Sequence, residues 1–228
     1  MKNLNLKLIA AIFIFSIIGF ATMQITINNV AGSEANFTLF DSVAPTASSF
    51  LGTIPGIVAV IGMRFIEIMQ NGFDSVDKGT IARFFPVIFG AVYFAQKKKA
   101  NLLIPIIAMI AFNLNPIGRQ VWYFSLFWLI PIAMHFLRGK LIFARSLGAT
   151  FTQHAVGGAI WVWLIPLPAE VWTALIPIVI IERLLIASGM SISYIFINNA
   201  LVSVNKFLDS KSIDFQFKTD SKYLLFKK

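Results

Sequence analysis

Glu182 and Arg183 stand side by side in the middle of an apolar run, Trp172 to Asn205, that holds no other charge. A run of this length reaches across a bilayer. A charge at its centre costs roughly 2.5–3.5 kcal/mol on insertion scales, so such groups face a protein interior and have partners. His154 occupies the middle of the preceding apolar run. With a rise of about 1.5 Å per residue, Glu182 lies about 15 Å beyond Trp172, and His154 about 12 Å beyond Ser146. Adjacent antiparallel helices therefore bring the imidazole and the carboxylate together near the midplane. That pair can bind a proton, hold a cation or hydrogen-bond a polar ligand, histidine being the side chain most easily poised near neutral pH.

Helical spacing places His154 on one face with Thr150, Gly157, Gly158 and Trp161, small residues beside one large aromatic, as a pocket wall requires. Gln153 points about 100° away from that face. Glu182 aligns with Ile178, Ile186 and Gly189, and Arg183 with Val179 and Ala187, so the two charges are expected to diverge. Arg119 is the one basic residue expected on the outer side, where it meets an anionic ligand or Glu170. The candidate ligand-binding residues are therefore His154, Trp161, Glu182, Arg183 and Arg119.

Other chemistries find little support. The chain has no cysteine and two histidines, which removes disulfides, thiol nucleophiles and Cys-ligated metals, and a metal site built on His154 and Glu182 lacks an identifiable third ligand. No HExxH, GxSxG or phosphate-binding lysine loop occurs. No catalytic residue and no cofactor is assigned, and the chain reads as a binding protein rather than an enzyme.

The elements that must position these residues follow from composition. Hydrophobic residues make up 57% of the 228 and charged residues 13%, against about 25% charged in a soluble domain. The fold class is all-α, a polytopic integral membrane protein of about six transmembrane helices. The expected spans are Leu8–Ile27, Ser49–Met69, Leu102–Ile117, Val121–Leu137, Ser146–Ile165 and Trp172–Ile195. A seventh stretch, Phe84–Ala95, gives only about 18 Å of helix and reads as re-entrant or in-plane. That choice keeps Lys2, Lys7, Lys78, Arg83, Lys97–Lys99, Arg138, Lys140, Arg145 and the lysine-bearing tail on one, cytoplasmic side with both termini. The net charge of +9 then reflects topology and attraction to membrane lipid, not nucleic acid. Residues 1–205 form the transmembrane domain and 206–228 a basic cytoplasmic tail on the inner surface. The loop Asn28–Ser48 is external, read either as a lid over an outward-facing pocket or as a plain connector. The tryptophans fall mostly at outer span ends, as an aromatic belt would.

Six spans in a chain of this length, both ends inside, a long outer loop after the first span and the sequence Phe50-Leu51-Gly52-Thr53-Ile54-Pro55-Gly56 at the start of the second resemble the substrate-binding S component of energy-coupling factor transporters. The resemblance implies capture of a vitamin-sized polar molecule from outside beneath the Asn28–Ser48 loop. It also implies docking through small residues of the first span, here Ala10, Ala11, Gly19 and Ala21, and energy from a transmembrane coupling subunit with cytoplasmic ATPases. Two other classes stay open: an intramembrane enzyme acting on a lipid or isoprenoid through His154 and Glu182, and a non-catalytic assembly subunit.

Overall fold

The computed structural model describes residues 6–29, 36–73, 76 and 78–225. Lys2 and residues 30–35 of the expected outer loop lie outside them. The fold is all-α apart from one small hairpin. Among the described residues three helices are long and apolar enough to cross a membrane, Leu6–Met23, Thr53–Asn71 and Ala169–Ser210, with shorter apolar stretches at Lys99–Leu114 and Trp122–Leu137.

Helix α1 (Leu6–Met23) carries one mid-helix polar group that needs a partner, Ser16. Its hydroxyl donates to the Ile12 carbonyl of its own helix and to the Ala59 carbonyl of α3 (Thr53–Asn71), at 2.9 and 3.1 Å. Gly62 faces Ser16 and Gly19 faces Met63, so α1 and α3 run in the same direction at close approach. Gly19 and Ala11 are thereby used inside the chain, whereas Ala10 and Ala21 remain exposed.

Between α1 and α3 the expected outer loop turns out to be mostly structure. An antiparallel hairpin, β1 (Thr26–Asn29) with β2 (Asn36–Thr38), leads into α2 (Phe40–Leu51). Ten of the twelve α2 residues are buried, which makes α2 an internal helix and not a surface lid or connector. Most of its polar groups have partners. The Ser42 hydroxyl donates to the Ile186 carbonyl (3.2 Å), the Thr46 hydroxyl to the Val43 carbonyl (2.7 Å), and Asp41 accepts the Thr38 N–H (3.0 Å). Gly52, at φ 97°, supplies the left-handed backbone that reverses the chain into α3, and Gly56 rests directly on the Ser48 backbone.

A second correction concerns Phe84–Ala95. It is the larger part of an 18-residue helix, α4 (Lys78–Ala95), lying alongside α8 (Ile142–Leu164). Pro86 meets Gly157, Gly90 meets Gln153, and Tyr93 meets Gly148, an antiparallel register along the middle of α8. Both α2 and α4 end at Arg145, through Ser49 and Phe94, so their effects on chain direction cancel. Lys97–Lys99 and everything after them keep their expected end, while Lys78 and Arg83 move towards the opposite, hairpin end.

The rest of the chain builds a second layer. Helices α5 (Leu103–Leu114) and α6 (Pro116–Gln120) are joined through Asn115, whose Oδ1 accepts the Ile117 and Gly118 N–H groups as an N-cap. A 3-10 helix (Trp122–Leu129) and α7 (Ile130–Leu137) return towards α8 and the 42-residue α9 (Ala169–Ser210). Side chains form two cores. One joins α1, α2, α3, the end of α4 and the middle of α9 around Phe40, Phe50, Phe94 and Tyr194. The other joins α5, the 3-10 helix, α8 and the start of α9 around Phe112, Phe124, Trp128 and Trp172.

Helix α9 continues five residues past the expected domain boundary at 205, and the tail then folds back along it. Three asparagines of α9 each hold one stretch of tail backbone by donating from Nδ2 and accepting at Oδ1. Asn205 holds Phe217, Asn198 holds Asp220, and Asn199 holds Tyr223 and Leu225, all at 2.7–3.0 Å. The tail is thus part of the folded body.

Candidate functional site

Where the two cores meet, a cavity of about 290 Å³ opens between α4, α8, the start of α9 and the hairpin. Four of the five expected residues, His154, Trp161, Glu182 and Arg183, line it together. Helical spacing along α8 brings Gly157, Gly158 and Trp161 to the same wall as His154, and Gly158 leaves the room that Trp128 occupies beneath it. Arg119 is separated from the others. It is exposed on α6, the Asn115 cap and the tight seat of Gly118 on the Phe112 carbonyl having turned that short helix away from the cavity.

Glu182 and Arg183 do not diverge as helical angles predict. Their side chains curl towards one cavity and form an ion pair, Arg183 Nη2 lying 3.5 Å from Glu182 Oε2. The guanidinium also sits 4.5 Å from the Phe37 ring centroid, and Asp41 brings a second carboxylate within its electrostatic reach. Burial is nearly complete, at 2% exposure, yet Arg183 Nε and Nη2 have no hydrogen-bond partner. Two more buried donors on the cavity wall share that condition, Gln153 Nε2 and Trp172 Nε1.

His154 is fixed by its aromatic surroundings. The Trp128 indole N–H donates to His154 Nδ1 at 3.0 Å, and an indole nitrogen can only donate. Nδ1 is therefore the unprotonated nitrogen, and Nε2 carries the hydrogen. Phe124, Phe127 and Phe151 surround the imidazole, with ring centroids 5.4–6.3 Å away. His154 is thus arranged as a donor through Nε2, with Nδ1 already occupied. Among the described residues no three His, Asp or Glu side chains stand close enough to hold a metal ion.

Several lining residues lie outside the sequence expectation. Gln153, expected to point elsewhere, reaches the cavity across Gly90. Phe37 and Asp41 come from the segment read as outer loop, and Arg83 from the start of α4. Trp161 and Trp172, which an aromatic belt would place at the surface, are buried, as is Trp128, whereas Trp122 and Trp163 are each 56% exposed. Isolated polar residues between apolar runs, Asp41 and Gln153, were the available signal.

No family model matches the chain, and no solved structure matches it. Over an alignment of 255 positions it is similar, at 27% identity, to the uncharacterized protein MJ0923 of Methanocaldococcus jannaschii, covering 98% of this chain and 82% of that one. The similarity therefore takes in both cores and the cavity between them.

Proposed function

We propose that this chain is a multi-pass membrane protein that captures a small, vitamin-sized polar molecule in the cavity between its two cores, as the binding subunit of an uptake system energised by separate subunits. The observation that carries this reading is the wall of the cavity, where an almost wholly buried arginine keeps two donors without a hydrogen bond. Buried polar groups are nearly always hydrogen-bonded, so unmet ones on a cavity wall mark a place where something else binds. The resemblance to S components of energy-coupling factor transporters agrees with this role. Exposed Ala10 and Ala21 on α1 offer a transmembrane coupling subunit its closest approach, and cytoplasmic ATPases would act through that subunit.

In this reading the six apolar spans are supplemented by α2 and α4, two traverses largely inside the protein. Both termini then lie on the basic end with Lys7, Lys97–Lys99, Arg138, Lys140 and Arg145, the cytoplasmic side by the positive-inside rule. An acid–base enzyme is less well served: His154 Nδ1 is taken by Trp128, and Glu182 is held by Arg183.

The test is mass spectrometry of small molecules that co-purify with the detergent-extracted full chain, wild type beside His154→Ala. A single polar compound present in the wild type and missing from the variant is the expected result. Bilayer lipids alone in both samples would overturn the proposal and favour a lipid-processing or assembly role.

A further inference from the structure

The polar equipment of the cavity is one-sided. Arg183 Nε, Gln153 Nε2 and Trp172 Nε1 are buried donors without hydrogen-bond partners, Arg183 Nη2 has only its long ion pair with Glu182, and the Trp128 contact leaves the His154 hydrogen on Nε2. The two carboxylates on the same wall each already have a partner: Asp41 takes the Thr38 N–H, and Glu182 is ion-paired to Arg183. From this imbalance we infer that the ligand is a small monocarboxylate with an apolar, ring-sized body, its two oxygens taken by the Arg183 guanidinium. The inference rests on the binding role proposed above and narrows it to a chemical class.

The charge count does not choose the ligand. Arg83 and Arg183 line the cavity with Asp41 and Glu182, a formal balance of zero, so neither sign of ligand gains from net charge. Selection then falls to hydrogen-bond direction. A cationic or donor-rich ligand would leave the buried donors unmet and oppose them, at the cost of desolvated polar groups. A planar guanidinium presents parallel N–H groups that match both oxygens of a carboxylate. A doubly charged phosphate would lie against Asp41 and Glu182, with Arg183, among the described residues, the one arginine on the wall that has unmet hydrogen-bond donors to hold it. For the body of the ligand, Phe37, Phe124, Trp161, Trp172 and Val179 supply flat apolar walls. The volume of about 290 Å³ sits at the small end of ligand sites.

The experiment uses the full chain in detergent, with thermal stability and tryptophan-fluorescence titrations against matched probes. These are benzoate with benzamide, nicotinate with nicotinamide, indole-3-acetate with indole-3-acetamide, and phenyl phosphate. Exchanging a charged for a neutral acceptor should weaken binding about tenfold, so at least one acid is expected to bind about tenfold more tightly than its amide. Arg183→Met should abolish that preference. Trp172→Phe, which keeps a ring and removes one donor, should weaken the acid several-fold and serves if Arg183→Met fails to fold. Equal or tighter binding of the amides or of phenyl phosphate, or an acid preference that survives Arg183→Met, would overturn the inference and leave the binding role standing. If no probe binds, the compound recovered by co-purification decides, a carboxylate supporting the inference and any other compound overturning it. With neither probe nor co-purified compound, the binding role itself falls.

Discussion

Arg145, near the basic end, and Arg183, beside the cavity, are both helix-borne cations stacked on aromatic rings. Arg145 lies 4.1 Å from the Phe94 centroid and 4.9 Å from that of Tyr194, and Arg183 lies 4.5 Å from Phe37. Their hydrogen bonds set them apart. Arg145 donates from Nε to the Phe94 carbonyl (2.6 Å) and from Nη2 to the Ser49 hydroxyl (2.5 Å). Arg138 beside it donates to the Phe94 and Gln96 carbonyls. Together they close the C-terminal end of α4, where exposed carbonyls and the helix dipole both favour cations. Arg183 has no such saturation. Ring stacking is common to both sites, so it does not identify a ligand site. Unmet donors on the wall of a cavity do.

The contrast breaks most visibly at the basic end. Arg145→Met removes two charge-assisted bonds, leaving Ser49 without its donor and the Phe94 carbonyl to Arg138 alone, a loss of about 3 kcal/mol. Denaturant-induced unfolding in mixed micelles should register it as a clear fall in midpoint. An unchanged midpoint would mean that Arg145 is no more structural than Arg183. Next in size is Gly158→Leu. The added Cβ alone would stand 2.7 Å from Trp128, which has no exposed surface to retreat into. Overpacking of this kind costs about 2 kcal/mol. It also pushes Trp128 off His154, so ligand binding should fall with stability, whereas Arg145→Met should lower stability without altering the cavity.

The sequence was read most accurately where charge interrupts apolar runs. His154, Glu182 and Arg183 stand out because an isolated ionisable group in such a run must turn inward, and all three line one cavity with Trp161. Helix α2 was missed for the complementary reason. Hydropathy measures side chains as though each met lipid or water, and Asp41, Ser42, Thr46 and Ser48 make α2 look like a loop. Packed inside the protein, most of these groups find partners on α9 or on their own backbone, and Gly56 lets α3 approach closely enough to cover them. The same blindness shortened α4, whose first turn contains Lys78, Gly79 and Thr80. The inward turn of Glu182 and Arg183 to one point was not legible either, because long side chains can cancel the 100° between adjacent helical positions.

A smaller effect is expected at the tail. Asn205→Ala removes one reciprocal amide pair with Phe217, worth about 1 kcal/mol. The loss should appear as faster hydrogen exchange at the Phe217 amide, with the ligand site untouched. Uniform protection along the tail after this change would show that the apolar contacts of Phe215 and Phe217, not the asparagine clamps, hold it in place.

The comparison is sharpest where almost no stability effect is expected. Arg183→Met alone strands Glu182 beside its vanished partner, so the informative variant is Glu182→Gln combined with Arg183→Met. Replacing both members of a buried ion pair is often neutral or stabilising, because two desolvated charges disappear together. Here the pair is long, at 3.5 Å, and two of the arginine donors are unmet, so the interaction offsets little of that desolvation. The double variant should therefore unfold within about 1 kcal/mol of the wild type, or later, while losing ligand binding altogether. A loss comparable to that of Arg145→Met would make the doublet a structural brace, and the cavity would then need another explanation for its unpaired donors. A stable, non-binding double variant would instead mean that Arg183 is held in an unsatisfied state at the expense of stability, the condition expected of a residue kept for a ligand.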